Sequence, residues 1–128
     1  MSYPSNLKYT KEHEWVLLSD DSETATIGVT HFAQKELGDI VFVETNNIGD
    51  VIIKNGIFGT VEAVKTVSDL FSPMSGEIIE QNSKLIADPA LLNQDPYNEG
   101  WIVKIKIYDI SEYDSLLNFE QYKELIGY

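Results

Sequence analysis

The 128-residue sequence predicts a mainly β fold, a small antiparallel barrel or sandwich with short peripheral helices and a C-terminal helix. Three observations lead there. Runs of strand length follow one another, and two of them alternate strictly. Turn residues separate the runs, as at Gly49-Asp50, Asn55-Gly56 and Pro73 to Gly76. Helical spacing is confined to one early segment and to the later part of the chain.

In chain order, Trp15 to Leu18 is an apolar run of strand length, and Asp20 to Glu23 reads as a solvated turn. Thr24 to Val29 alternates, with Ala25, Ile27 and Val29 on one side, so it is a half-buried strand. Thr30 suits the N-cap of a short helix in which Phe32–Glu36 and Ala33–Leu37 are i, i+4 pairs and Gly38 is the stop. Asp39 to Thr45 is apolar on both faces and predicts a central strand. Val51 to Ile53, Ile57 to Val64, Val67 to Ser72 and Glu77 to Gln81 continue the β pattern. Asp88-Pro89 reads as an N-cap followed by proline in the first helical position. Trp101 to Ile107 predicts a strand with Trp101, Val103, Ile105 and Ile107 facing one way. Ser111-x-x-Asp114 looks like a capping box, and Phe119 to Ile126 predicts the last helix, stopped by Gly127. No linker or low-complexity segment interrupts this series, so a single domain over residues 1–128 is expected.

Composition narrows the function. The formal net charge is −12, and every basic residue is lysine. Nucleic-acid binding needs basic surface against phosphates, and anionic membrane surfaces need the same, so both classes are disfavoured. Without cysteine there is no disulfide, zinc–thiolate site or cysteine nucleophile. No apolar run approaches the roughly 20 residues of a membrane helix. The first thirty residues show no signal or transit peptide pattern. A cytoplasmic protein of bacterial type is expected, or a mitochondrial matrix protein after removal of a leader. His13-Glu14 lacks a second histidine four residues on, so it is no metalloprotease motif, and His13 reads as structural. No nucleophile–base pair or metal cluster is visible, which argues against an enzyme. Trp15 and Trp101 read as core anchors, and Gly56 and Gly59 as turn and close-packing glycines.

The segment that carries chemistry is Phe58 to Gly76. Two β runs meet with Lys65 and Thr66 between them. Lys65 is the only basic residue between Lys54 and Lys84. An enzyme that acylates one amine needs it exposed at a rigid apex without competing lysines nearby. A turn lysine is ordinarily no more than a solvated charge; the flanking pattern sets this one apart.

That pattern resembles the lipoyl and biotinyl carrier domains, in which a glycine-containing strand leads to Glu-x-x-Lys and the return strand to Ser-Pro-x-Ser-Gly. Biotin carriers place methionine on both sides of the lysine; Val64 and Thr66 stand here. The ordered series of Tyr9 to Val16, Phe32-Ala-Gln-x-x-Leu-Gly38, Asp39 to Glu44, the Lys65 hairpin with Ser68-Asp-Leu70, and Asp95-Pro-Tyr-x-x-Gly-Trp101 is similar to the H-protein family of the glycine cleavage system. The similarity runs from about Leu7 to the final helix. Ala63 and Thr66 depart from the serine and alanine usual in that family.

The resemblance implies a barrel-sandwich hybrid and lipoate in amide linkage to Lys65. It implies a carrier that shuttles the aminomethyl group of glycine. Its partners would be a PLP-dependent glycine decarboxylase, a tetrahydrofolate-dependent aminomethyltransferase, dihydrolipoamide dehydrogenase, and the lipoate ligase, or octanoyltransferase and lipoyl synthase, that modifies it. Glu14 and Asp69 would then contact the loaded arm, where a carboxylate can hold a cationic amine; Glu12 is a weaker candidate. Their alternative is plain surface solvation. Two other functions remain open at this point: a relay that donates lipoyl or octanoyl groups to other lipoyl domains, and an unmodified β-barrel interaction module.

Overall fold

Among the described residues, strands and helices follow in the order β1 (Lys8–Tyr9), β2 (Glu14–Leu18), β3 (Thr24–Val29), α1 (His31–Leu37), β4 (Ile40–Thr45), β5 (Val51–Ile52), β6 (Ile57–Ala63), β7 (Val67–Phe71), β8 (Gly76–Gln81), α2 (Ser83–Ala87), α3 (Leu91–Gln94), β9 (Val103–Ile107), α4 (Ser111–Asp114) and α5 (Phe119–Ile126). The structure, a computed structural model, describes Pro4 and residues 6–127; residues 1–3, 5 and 128 of the expected 1–128 unit lie outside the described residues. The strands form a six-stranded sheet in the order β1-β2-β3-β9-β8-β5 and a three-stranded sheet in the order β4-β6-β7. Every pairing is antiparallel, and neither sheet closes on itself.

The core lies where the inward faces of the sheets meet. Val16, Ile27, Ile78 and Ile105 enter it from the first sheet, and Val43, Phe58, Val61 and Leu70 from the second. The alternation in β3 does what the sequence predicts: Ala25, Ile27 and Val29 are buried. A smaller cluster of Leu7, Tyr9, Trp15 and Tyr122 lies under α5. The tyrosine rings of Tyr9 and Tyr122 stack there at 4.7 Å. No described helix is long and apolar enough to cross a membrane.

Trp15 is an anchor, as expected, and its partner explains a glycine. Trp15 stands opposite Gly28 in the β2–β3 register. A Cβ on Gly28 would fall 2.5 Å from indole carbons of Trp15. The indole N–H donates to the Pro96 carbonyl at 3.0 Å, which pins the Asp95-Pro96-Tyr97 loop to β2. Gly28→Ala is therefore expected to push the ring outward and cost about 2 kcal/mol in a urea denaturation series.

Four local expectations are corrected. Asp39 to Thr45 is not a central strand: β4 is the edge of the small sheet. A bulge between Ile40 and Phe42 breaks its alternation, so Ile40 and Val43 are buried while Val41 and Phe42 face outward. Asp88 does not cap a helix start. Asn82 caps α2 instead, because its buried side chain also donates to the carbonyls of Glu99 and Trp101 at 2.7 Å, and these distant bonds select it. Asp88 is the C-cap of α2, and α3 starts at Leu91. The capping box is not at Ser111, whose hydroxyl bonds Asp109, but at Asn118 and Gln121 before α5. Finally, β9 starts at Val103. Ile102 is buried, whereas Trp101 is half-buried with the Lys104 ammonium 5.0 Å above its ring.

Candidate functional site

Lys65 sits at the tip between β6 and β7. The two strands pair as far as Glu62 opposite Val67. Across the tip, the Ala63 amide donates to the Thr66 carbonyl at 2.7 Å, and the Val64 amide donates to Asp39 O at 3.0 Å. The apex is thus tied both to itself and to the segment that enters β4. Lys65 is exposed, and none of the ion pairs among the described residues involves it. Its stem crosses Gly38, the stop of α1 at a positive φ of 83°: a Cβ placed there would lie 3.4 Å from Lys65 Cε and 3.9 Å from Nζ.

What holds Gly38 is a residue that carried no sequence signal. Asn93, in α3, donates to the Gly38 carbonyl at 2.8 Å and to Gln34 Oε1 at 3.0 Å, and accepts from the Ile40 amide at 3.0 Å. One side chain therefore fixes the end of α1 to the start of β4, directly behind the lysine tip. Asn93→Ala leaves a carbonyl and an amide without partners. It is expected to cost about 2 kcal/mol and to speed hydrogen exchange at the Ile40 amide.

Beyond Gly38 lies a cavity of about 350 Å³. Its apolar wall is Phe32, Ala33 and Leu37, on the face of α1 that the i, i+4 pairs predicted. Carboxylates of Glu12, Glu36 and Asp69 open onto it, with His13 and Ser68. Asp69 is exposed, on the edge strand β7. His13 adopts a left-handed backbone at φ 72°. Its Nδ1 shares a hydrogen bond with the Tyr122 hydroxyl at 2.8 Å, and its ring packs on Phe32 at 4.7 Å. Burial holds the imidazole below its usual pKa, while Glu12 and Glu36 pull it back up. His13 is thus a structural part of the cavity wall, as the sequence suggested, and α5 supports it.

Glu14 does not stand beside Asp69. It is 2% exposed, so the surface-solvation alternative is wrong for it. It lines a neighbouring cavity of about 240 Å³ with Thr10, Lys54 and Ser72. Glu12 and Phe71 border both cavities. The turn at His13 swings Glu14 inward. The Thr10 hydroxyl donates to Glu14 Oε1 at 2.7 Å, and the Phe71 amide donates to Oε2 at 3.2 Å. Burial pushes the carboxyl up to about 8; the bonds from Thr10 and Phe71 lower it, and Glu12 adds to the rise. Through the Phe71 amide, Glu14 fixes the end of the strand that carries Ser68 and Asp69. Among the described residues no cluster suits a metal ion.

The family model described as glycine cleavage H-protein matches residues 7–127. The glycine cleavage system H protein of Chlorobaculum parvum is 58% identical over 127 residues, covering 99% of each chain. That of Staphylococcus haemolyticus is 50% identical over the same length and coverage. The crystal structure of a glycine cleavage system H protein from Mycobacterium marinum superposes with a TM-score of 0.87 at 32% identity, covering 98% of this chain and 100% of that one.

Proposed function

Since the chain belongs to the glycine cleavage H-protein family, we propose that Lys65 is the residue on which its lipoyl arm is carried. The protein is a lipoylated carrier in glycine cleavage and not an enzyme. It moves the aminomethyl group of glycine from the PLP-dependent decarboxylase to the tetrahydrofolate-dependent aminomethyltransferase, and then electrons to dihydrolipoamide dehydrogenase. Lipoate, when attached, supplies a dithiolane that accepts the group, and the dithiol left after its transfer is reoxidised by the dehydrogenase. We infer that this work is done in the cytoplasm, a reading that the bacterial relatives support.

The observation that carries the assignment is the position of Lys65, exposed at an apex with hydrogen bonds on both sides of it. The surroundings fit an aliphatic arm with a cationic load. The lysine stem crosses Gly38 towards α1, and the cavity of about 350 Å³ next to α1 offers an apolar wall and three carboxylates. Phe32, Ala33 and Leu37 would exclude water from the arm. Asp69, with Glu12 beside the same cavity, would hold an ammonium by a charge-assisted hydrogen bond. Glu14 would act from behind, positioning β7 and taking on negative charge when a cation comes close. The test is peptide mass mapping after acylation with lipoate, ATP and a lipoate ligase. A lipoyl mass on the peptide containing Lys65 is expected, and an unmodified peptide there, with the ligase active on another carrier, would sink the assignment.

A further inference from the structure

The outer face of the small sheet is apolar where it meets the lysine, and again at its far end, where the half-exposed Ile57 pairs with Phe71. Phe42, Glu62 and Val67 stand side by side across β4, β6 and β7, so their side chains share one face. Phe42 is 46% exposed and Val67 62%. Val64, next to the lysine at the tip, is 75% exposed, and Val41, the extra residue of the β4 bulge, 49%. The next row on this face is Glu44, Thr60 and Asp69, so carboxylates lie behind the apolar row. A regular strand would have buried either Val41 or Phe42; the bulge exposes both beside the tip. Leaving four large apolar side chains in water around one amine marks an interaction site.

We propose that Val41, Phe42, Val64 and Val67 form an apolar collar on which the enzyme that acylates Lys65 docks, with a surface that is apolar at its centre and basic at its rim. This inference rests on Lys65 being the attachment residue. Geometry selects the occupant. To form the amide, Nζ as the free amine attacks the carbonyl carbon of an activated acyl group, an acyl adenylate or an acyl thioester. The C–N bond forms, the bond to phosphate or sulfur breaks, and the amine proton passes to a base of that enzyme. Its active site must therefore reach Nζ itself, and Val67 is only two residues, roughly 7 Å along the strand, from Lys65. Enzymes that work on the distal end of the arm act an arm's length away and need not cover the collar. The carboxylates of Glu44, Glu62 and Asp69 call for a basic rim on the partner.

The test compares Phe42→Ser/Val67→Thr, the single variant Phe42→Ser, and Ile53→Ser as an exposed apolar control elsewhere (67% exposed). Each apo-protein is incubated with lipoate ligase, lipoate and ATP, and kcat/KM for the mass shift is measured, with thermal melts to confirm folding. The double variant is expected to lose at least tenfold in kcat/KM and the Phe42 single variant several-fold, with Ile53→Ser unchanged. Once forced to full lipoylation, the double variant should be reduced by dihydrolipoamide dehydrogenase at the wild-type rate. Acylation within twofold of wild type in the folded variants overturns the collar, as does an equal loss in the dehydrogenase assay. If wild type itself is not acylated at Lys65, the attachment assignment fails first and the collar with it.

Discussion

Lys65→Arg is expected to end carrier function while leaving the fold untouched. Arginine keeps the positive charge and most of the length, but its guanidinium stays protonated and cannot serve as the acylated amine. In the presence of ligase, lipoate and ATP the mass of the variant should not change. Glycine-dependent exchange of carbon dioxide, with the decarboxylase supplied, should fall to the level measured without carrier. The melting temperature should stay put, because Lys65 is exposed and outside every ion pair among the described residues, and such substitutions stay within about 0.5 kcal/mol. Residual exchange above background, or a lipoyl mass on another lysine, would contradict the assignment.

Glu14→Gln is expected to raise stability at alkaline pH and to weaken protection of the load. The native carboxyl ionises near 8 against an ordinary value of 4.5, so the folded protein binds a proton that the unfolded chain releases across that interval. Stability of the wild type therefore falls as pH rises from about 4.5 to about 8 and is flat beyond. Glutamine is neutral throughout, and its amide can still accept from the Phe71 N–H and donate to the Thr10 hydroxyl. The variant should match the wild type near pH 4.5 and exceed it by about 5 kcal/mol near pH 9. Urea denaturation at these two pH values measures the difference, and parallel pH profiles would rule out the buried ionisation. In the lipoylated, aminomethyl-loaded protein the same variant cannot become negative, so non-enzymatic release of ammonia should quicken. Unchanged release would confine Glu14 to a structural role.

Where local chemistry decides an element, the sequence displayed it. Thr24 to Val29 alternates because one face is buried. Thr30 and Gly38 bound α1, the first accepting a hydrogen bond from the Ala33 amide and the second at a positive φ of 83°. Phe119 to Ile126 ends at Gly127, as its spacing required. The lysine tip was equally legible, since two β runs and a lone basic residue are local facts. What stayed hidden depends on distant partners. A bulge in β4 is a choice of register against β6, and no local pattern in Ile40 to Val43 records it. Asn82 and Asn93 look like ordinary loop or helix residues until the carbonyls they serve are brought to them. Glu14 lies in a run of polar residues that reads as solvated; only the left-handed turn at His13 brings it inside.

The meeting of the two ends of the chain bears on how the protein is made. His13 is bonded to Tyr122, a partner 109 positions away, and Tyr9 stacks on the same ring. The β6–β7 hairpin closes over neighbours in sequence, and such contacts form early. On the ribosome, the cavity wall that includes His13 must then wait for the last helix to emerge, after the hairpin that bears the lysine has been synthesised.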